Sequence, residues 1–376
     1  MRKIRVLVVD DAVVIRRLVT SILSEDPALE VVGAAANGRI ALAKIPQVNP
    51  DVVTLDVEMP EMNGLEALAE IRKTYPSLPV IMFSTLTERG AGATLEALAL
   101  GATDYVTKPA NVGSVTVARQ RLRDELIPKI KLFCARAAGI EVAPPVVKPA
   151  RVKPRPRPDA VGGEPGSSQV DIVAIGVSTG GPSALARLMP EFPADFPVPI
   201  VIVQHMPPIF TKLLADRLSK QSEVRVGEGV ASEQLEAACA WVAPGDYHMV
   251  VARDGTAVRL RLHQAPPENS CRPAVDVLFR SVAKLYQARA LAVVMTGMGQ
   301  DGLRGCEEIR EAGGQVLVQD EDSSVVWGMP GFVANAGLAD RVLPLEQLGP
   351  EIVRRVWRGR TKESLVAEPA QAQSVK

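Results

Sequence analysis

Histidine is scarce in this chain, with three among 376 residues, so chemistry that needs an imidazole base has few candidates. Cysteine is nearly as rare. Cys134, Cys239, Cys271 and Cys306 are scattered without C-x-x-C spacing, which argues against a zinc site and a disulfide framework and fits a reducing cytoplasm. Net charge is absent as well, because Lys plus Arg and Asp plus Glu both number 43. The whole chain therefore has no electrostatic footprint for nucleic acid or an anionic membrane. No apolar run is long enough to insert in a bilayer. The opening MRKIRVLVVDD carries basic residues, but its apolar stretch meets two aspartates too soon for a signal-peptide core and reads as a first strand.

What is present is globular, with 47% hydrophobic and 23% charged residues, and the length calls for two or three compact cores. From Ile4 to about Leu126 the runs IRVLVV, LEVVGAA, DVVTL, PVIMF and DYVT alternate with helical patterns, the last from about Val112 to Ile127. Five short apolar strands with intervening helices make a doubly wound parallel sheet. The stretch EVAPPVVKPARVKPRPRPDAVGGEPGSSQ is dense in Pro and Gly and reads as an extended, solvated linker. Its Lys148, Arg151, Lys153, Arg155 and Arg157 read as solubilising charges.

Beyond Val170 the alternation resumes with DIVAIG, VPIVIVQ, ALAVVMT and QVLVQ as strands. HMVVARDGTAVRLRL reads as a hairpin turning at Asp254-Gly255, and helices are expected over Pro273 to Tyr286 and Leu345 to Trp357. The expected organisation is a five-stranded α/β domain over 1–125, a linker over 126–169, a larger doubly wound α/β domain with a mostly parallel sheet over 170–358, and a frayed tail over 359–376.

In the first domain, Asp10 and Asp11 follow the first strand and Asp56 ends the third. Three carboxylates in one crevice repel unless a cation screens them, and Mg²⁺ suits such oxygen ligands. One carboxylate can then attack a phosphoryl donor while the metal and a lysine neutralise the transferred group. Lys108, before Pro109 and an expected cis bond, supplies that lysine. Ser84 offers a hydroxyl at the fourth strand's end to follow the phosphate, and Tyr105 is a candidate rotamer reporter. Taken singly, each residue would equally serve as a cap or turn.

VLVVDD, LDVEMPEMNG, MFSTLT and DYVTKP resemble the receiver domain of bacterial two-component response regulators. The resemblance implies that a partner histidine kinase phosphorylates Asp56. It also implies that Asp11, Asp56 and the Glu58 carbonyl bind Mg²⁺, with Asp10 beside them.

In the second domain, Ser178 lies in Gly176-Val177-Ser178-Thr179-Gly180, which has the G-x-S-x-G spacing of a nucleophile elbow. A phosphate-cradling turn is the competing reading, disfavoured because the Gly spacing departs from G-x-G-x-x-G. His205 follows VIVQ at a strand's carboxyl end, whereas His248 precedes a strand and His263 follows a hairpin. Asp301 lies in the glycine-rich loop TGMGQDG, with Asp276 and Asp320 as alternatives, and Asp276 reads as a pocket-rim residue. A hydroxyl, an imidazole and a carboxylate on three such loops form the kit for acyl hydrolysis. The order Ser, His, Asp differs from that of α/β-hydrolases.

GVSTGGP, VIVQHMP, SCRPAVDVLF, TGMGQDG and WGMPGFVANAG resemble the catalytic domain of the chemotaxis protein-glutamate methylesterases. The resemblance implies hydrolysis of glutamate methyl esters on the cytoplasmic helices of chemoreceptors, and in many members deamidation of receptor glutamines. It implies Ser178 as nucleophile, His205 as base, Asp301 as orienting acid, the Met298 amide as oxyanion donor and Arg272 at the substrate groove. No cofactor is expected there, nor nucleic acid as partner, and the chain is expected to be monomeric. A non-enzymatic regulator with a protein-binding output domain is the alternative, which the set of Ser178, His205 and Asp301 disfavours.

Overall fold

The computed structural model describes residues 2–108, 115–138 and 169–360. In the first part the chain runs β1 (Ile4–Val9), α1 (Val13–Ser24), β2 (Leu29–Ala35), α2 (Gly38–Val48), β3 (Val52–Asp56), α3 (Gly64–Thr74), β4 (Val80–Ser84), α4 (Glu88–Ala99), β5 (Asp104–Thr107) and α5 (Val115–Ala138). The strands pair in the order β2-β1-β3-β4-β5, all parallel. The order reverses between β1 and β3, the point where such a sheet opens a crevice at its carboxyl edge. Helix starts are set locally. Asn63 and Glu66 form a reciprocal capping box on α3, and Asn37 and Thr87 cap α2 and α4, which satisfies amide groups that a helix leaves unpaired.

Helix α5 passes the expected boundary at residue 125. Leu122, Leu126, Ile127, Ile130 and Cys134 on it pack into the same core as Val6, Val8 and Val19, so the apolar stripe continues into what the sequence suggested was linker. The expected turn at Pro109, the Pro/Arg-rich stretch over 139–168 and the tail from 361 lie outside the described residues.

The second part runs β6 (Ile172–Val177), α6 (Gly181–Leu188), β7 (Ile200–Gln204), α7 (Phe210–Gln221), β8 (Arg225–Glu228), β9 (Cys239–Val242), β10 (His248–Asp254), β11 (Ala257–His263), α8 (Val275–Tyr286), β12 (Ala290–Val294), α9 (Leu303–Glu311), β13 (Gln315–Gln319), α10 (Met329–Asn335), β14 (Arg341–Leu343) and α11 (Leu345–Trp357). Seven strands pair in the order β14-β13-β12-β6-β7-β9-β8, every pair parallel. β6, β7, β12 and β13 are buried along their whole length, as expected for strands covered on both faces. The antiparallel hairpin β10-β11 stands apart. Its pairing of Asp254 with Ala257 leaves Gly255-Thr256 as the loop, one residue later than the sequence suggested, with Gly255 at a φ of 60°.

Among the described residues no helix is long and apolar enough to cross a membrane. One close approach fixes the second sheet's centre. A Cβ added at Gly176 would lie 2.4 Å from Val275 Cγ1, so the glycine lets α8 begin directly over β6. Gly176→Ala is expected to cost about 1–3 kcal/mol, because a stiff β-branched neighbour must shift. Gly92→Ala, with nothing within 4 Å of the added atom, should instead gain about 0.5–1 kcal/mol of helix stability. Urea denaturation followed by circular dichroism measures both, and an unchanged stability in Gly176→Ala would refute the tight packing.

Candidate functional sites

Two crevices hold the chemistry-bearing residues, one at the carboxyl edge of each sheet. In the first, Asp10 follows β1, and its Oδ1 accepts the Ala12 amide at 2.9 Å. Asp56 ends β3. Lys108 Nζ, just past β5, lies 2.8 Å from Asp10 Oδ2 and 2.8 Å from Asp56 Oδ2. Asp11 brings a third carboxylate, with oxygens of all three within 4.8 Å of one another. Arg16 Nη1 donates to the Asp10 and Asp11 carbonyls at 2.6 and 2.7 Å, which fixes the turn into α1.

Burial raises the Asp56 pKa to about 6, with repulsion from Asp10 adding to it and Lys108 opposing. Burial works against a charge on Lys108, yet the two carboxylates outweigh it and hold its pKa above the ordinary lysine value. Among the described residues one ammonium thus stands against three carboxylates. The hydroxyl of Ser84 donates to the Gly90 carbonyl at 3.0 Å, so it is engaged with the first turn of α4. Tyr105 lies in β5, its carbonyl accepting Lys129 Nζ at 2.6 Å.

At the carboxyl edge of the second sheet the three expected residues follow β6, β7 and β12, which are neighbours at its centre. Val177 pairs with Gln204 at the ends of β6 and β7, and Ser178 and His205 are the next residues on each. The His205 amide donates to the Val177 carbonyl at 3.2 Å, and the Gly181 amide to the Ser178 carbonyl at 2.8 Å. His205 Nε2 lies 2.8 Å from Asp301 Oδ2. Its Nδ1 faces Cys271 Sγ at 3.6 Å.

Asp301 is 2% exposed and fully engaged. Oδ2 also accepts the Val275 amide at 2.6 Å. Oδ1 accepts from the Asp276 amide at 3.0 Å, Asn269 Nδ2 at 2.9 Å and the Gly302 amide at 3.1 Å. Burial works to raise its pKa, but His205 and the Val275 and Asp276 amides outweigh that and hold it below the usual 3.8. Burial likewise opposes a charge on His205, while Cys271 and Asp301 push its pKa well above 6.5.

Asp276 corrects its reading as a rim residue. It is 1% exposed, because the first turn of α8 faces the start of α9, where Asp276 Oδ1 accepts the Gly302 and Gly305 amides at 3.0 and 2.7 Å. Burial and then repulsion from Asp301 raise its pKa to about 6. Asp320 instead closes a turn, accepting from Ser323 N at 3.0 Å and Ser323 Oγ at 2.6 Å. His248 Nδ1 accepts the Ala274 amide at 3.2 Å, a structural use. His263 Nδ1 accepts the Ala265 amide at 3.4 Å. Arg272 pairs with Asp246 at 3.0 Å and donates to the Gln264 and Ala265 carbonyls, so it braces its own loop.

Met298 lies in the loop after β12, held by the Thr296 amide on Gln319 Oε1 at 2.8 Å and the Gly297 amide on the Val326 carbonyl at 3.0 Å. Cys271 and Asn269 were not singled out from sequence. Their loop has no periodicity to read, and the motif SCRPAVDVLF is its one signal.

Residues 173–352 match the family described as CheB methylesterase, and residues 6–119 the response regulator receiver domain. A protein-glutamate methylesterase/protein-glutamine glutaminase of Trichodesmium erythraeum (strain IMS101) is 58% identical over 359 residues, covering 95% of this chain and 100% of that protein. One of Nocardioides sp. (strain ATCC BAA-499 / JS614) is 53% identical over 363 residues, covering 95% and 96%. The crystal structure of the Thermotoga maritima CheB methylesterase catalytic domain is 40% identical, covers 50% of this chain and 99% of that one, and has a TM-score of 0.49.

The contact of His205 with Asp301 has a direct readout. Asp301→Asn removes the negative partner, so the His205 pKa should fall relative to the wild type. A histidine-ring NMR titration measures it, and an unchanged value would show that the carboxylate does not hold the imidazolium.

Proposed function

Because the chain belongs to the protein-glutamate methylesterase/protein-glutamine glutaminase family, with a receiver domain ahead of a CheB methylesterase domain, we propose that Ser178, His205 and Asp301 carry out its ester hydrolysis. The enzyme is a hydrolase of glutamate methyl esters, and its relatives' name adds glutamine deamidation. The observation that carries the residue assignment is the 2.8 Å contact of His205 Nε2 with Asp301 Oδ2, beside the strand end that bears Ser178.

With Nε2 committed to Asp301, Nδ1 is the nitrogen that takes the Ser178 proton. Ser178 Oγ attacks the γ-carbonyl, the tetrahedral oxyanion is met by the Met298 amide, and as the intermediate collapses the imidazolium gives its proton to the departing methoxide oxygen, which leaves as methanol, or to the departing amide nitrogen, which leaves as ammonia. Water then cleaves the acyl-enzyme by the same route in reverse. Asp301 keeps the productive tautomer and stabilises the imidazolium.

In the receiver, the donor set fits a hard divalent cation: three carboxylates converge, and among the described residues one lysine stands against them. Asp11, Asp56 and the Glu58 carbonyl would hold Mg²⁺, with Asp10 beside them. The ion, when bound, offsets charge on a transferred phosphoryl group. Asp56 Oδ forms the bond to phosphorus as the donor histidine of a kinase leaves, Lys108 stays on the transferred oxygens, and Ser84 turns to them from Gly90. The remaining assignments are a chemotaxis histidine kinase and methyl-accepting receptors as partners, a cytoplasmic location and a monomeric state. The domain limits are 1–125 for the receiver, with α5 carrying its core on to Cys134, and 170–358 for the hydrolase.

Ser178→Ala should lower methanol release from methyl-labelled receptor membranes by about a million-fold while Asp56 still accepts phosphate from a small phosphodonor. Turnover at the wild-type rate would remove Ser178 from the mechanism. Since a raised imidazole pKa keeps the base protonated at low pH, the acid limb of kcat/KM should lie above 6.5, with activity rising as pH rises. An acid limb below that value would contradict the hold on the imidazolium. Chelation with EDTA, or Asp11→Asn, should abolish phosphorylation of Asp56 and leave the unphosphorylated enzyme's basal turnover unchanged. Phosphorylation that persists in EDTA would overturn the metal assignment.

A further inference from the structure

Behind Asp301 stands a second buried carboxylate that the reaction above does not use. Asn269 Nδ2 bridges the two, 2.8 Å from Asp276 Oδ2 and 2.9 Å from Asp301 Oδ1. The Gly302 amide is shared as well, 3.0 Å from Asp276 Oδ1 and 3.1 Å from Asp301 Oδ1. The capping is reciprocal. Asp301, just ahead of α9, accepts the first amides of α8 from Val275 and Asp276, and Asp276, in the first turn of α8, accepts amides at the start of α9.

Burying two like charges side by side is costly unless both are saturated with donors. Capping alone would not need the arrangement, since a serine or asparagine serves a helix start as well. What the second carboxylate adds is an acceptor for the Asn269 amide and, when ionised, a negative charge one layer behind the imidazole. Asn269 reaches inward from a turn in which its own φ is 50° and that of Ser270 is 63°, a left-handed pair that asparagine tolerates better than most residues.

We propose that Asp276 and Asn269 are positioning residues, which lock the Asp301 carboxylate with Oδ2 toward His205 and add a second negative charge behind the imidazolium. The proposal rests on the assignment of Ser178, His205 and Asp301 above. At metal sites, outer partners that orient a histidine are worth about 10- to 100-fold in affinity or activity, and the same scale is expected for that role beside His205. Asp276 acts through Asp301, with no contact to His205 among the described residues. The charged or titratable groups around it are Asp301, Glu268, Arg280, Arg304 and Cys306, with Glu268 paired to Arg280, and the imidazole itself faces Asp301 and Cys271.

The test uses the full-length enzyme on methylated receptor membranes, with Ser178→Ala as the control for the underlying reading. Asp276→Asn keeps the size of the side chain but places a donor opposite the Asn269 amide and removes one negative charge. Asn269→Gly removes the bridge at a backbone position that glycine adopts without strain. Each variant should lose about 10- to 100-fold in kcat with KM within about twofold of wild type. In Asp276→Asn the acid limb of the pH profile should also move to lower pH, because the imidazolium has lost a stabilising charge. A merely structural role would leave that limb in place. Wild-type kcat in Asn269→Gly, or an unmoved limb in folded Asp276→Asn, overturns the proposal. Should Asp276→Asn fail to fold, Asn269→Gly decides by kcat together with the His205 ring shift, and an unchanged pair of values overturns it. Wild-type turnover in Ser178→Ala would instead defeat the assignment of the nucleophile, which separates the two failures.

Discussion

A carboxylate shut away from water has to be surrounded by donors, and Asp301 meets that demand from its neighbours on every side. Its two oxygens take amides from the start of α8, an amide from its own loop, a side-chain amide from Asn269 and the imidazole of His205. Those ties fix more than one side chain. They set the start of α8 against the loop before α9, and they hold the ring of His205 at the end of β7. An unpaired buried charge would be expensive, so the local architecture and the ionisation of the site are the same problem.

The receiver solves a similar problem in the opposite sense. There three carboxylates are gathered, and among the described residues Lys108 is the one ammonium between Asp10 and Asp56. The result is an acid with a raised pKa where the second site has one with a lowered pKa. A crevice left short of positive charge is suited to taking up a cation and an incoming phosphoryl group. A crevice whose acid is already saturated is suited to holding one imidazole still. Both crevices lie at the carboxyl edge of a parallel sheet near the point where strand order reverses.

Much of this was legible in the residues. Runs such as IVAIGV, IVIVQ and ALAVV are continuous, apolar and rich in Val and Ile, and they became the buried central strands that carry Ser178, His205 and Asp301. The short strands near Val224 and Trp241 were legible as β8 and β9, but β14 and α10 were not. β14 has a single buried residue and α10 begins with Met-Pro-Gly, so neither shows a period. The limit of α5 was set too early because its charged face masks the stripe that continues to Cys134. Asp276 was misjudged for a different reason. A charged residue in a helical pattern normally faces solvent, and nothing local reveals that another helix begins opposite it. Asn269 and Cys271 were missed because the contacts that give them meaning come from residues distant in sequence.

The order of strands in the second sheet bears on how the protein is made. β6 sits at the centre, yet Ile172 on it pairs with Ala290 of β12, which leaves the ribosome only after β7 to β11 and α8. All five strands of the first sheet, by contrast, are complete by Thr107. Long-range parallel pairing is slow to form, and domains fold as units from the N-terminus during synthesis. A nascent chain therefore gains its phosphate-accepting half early, while one edge of its most apolar strand waits unpaired through most of the translation of the hydrolase.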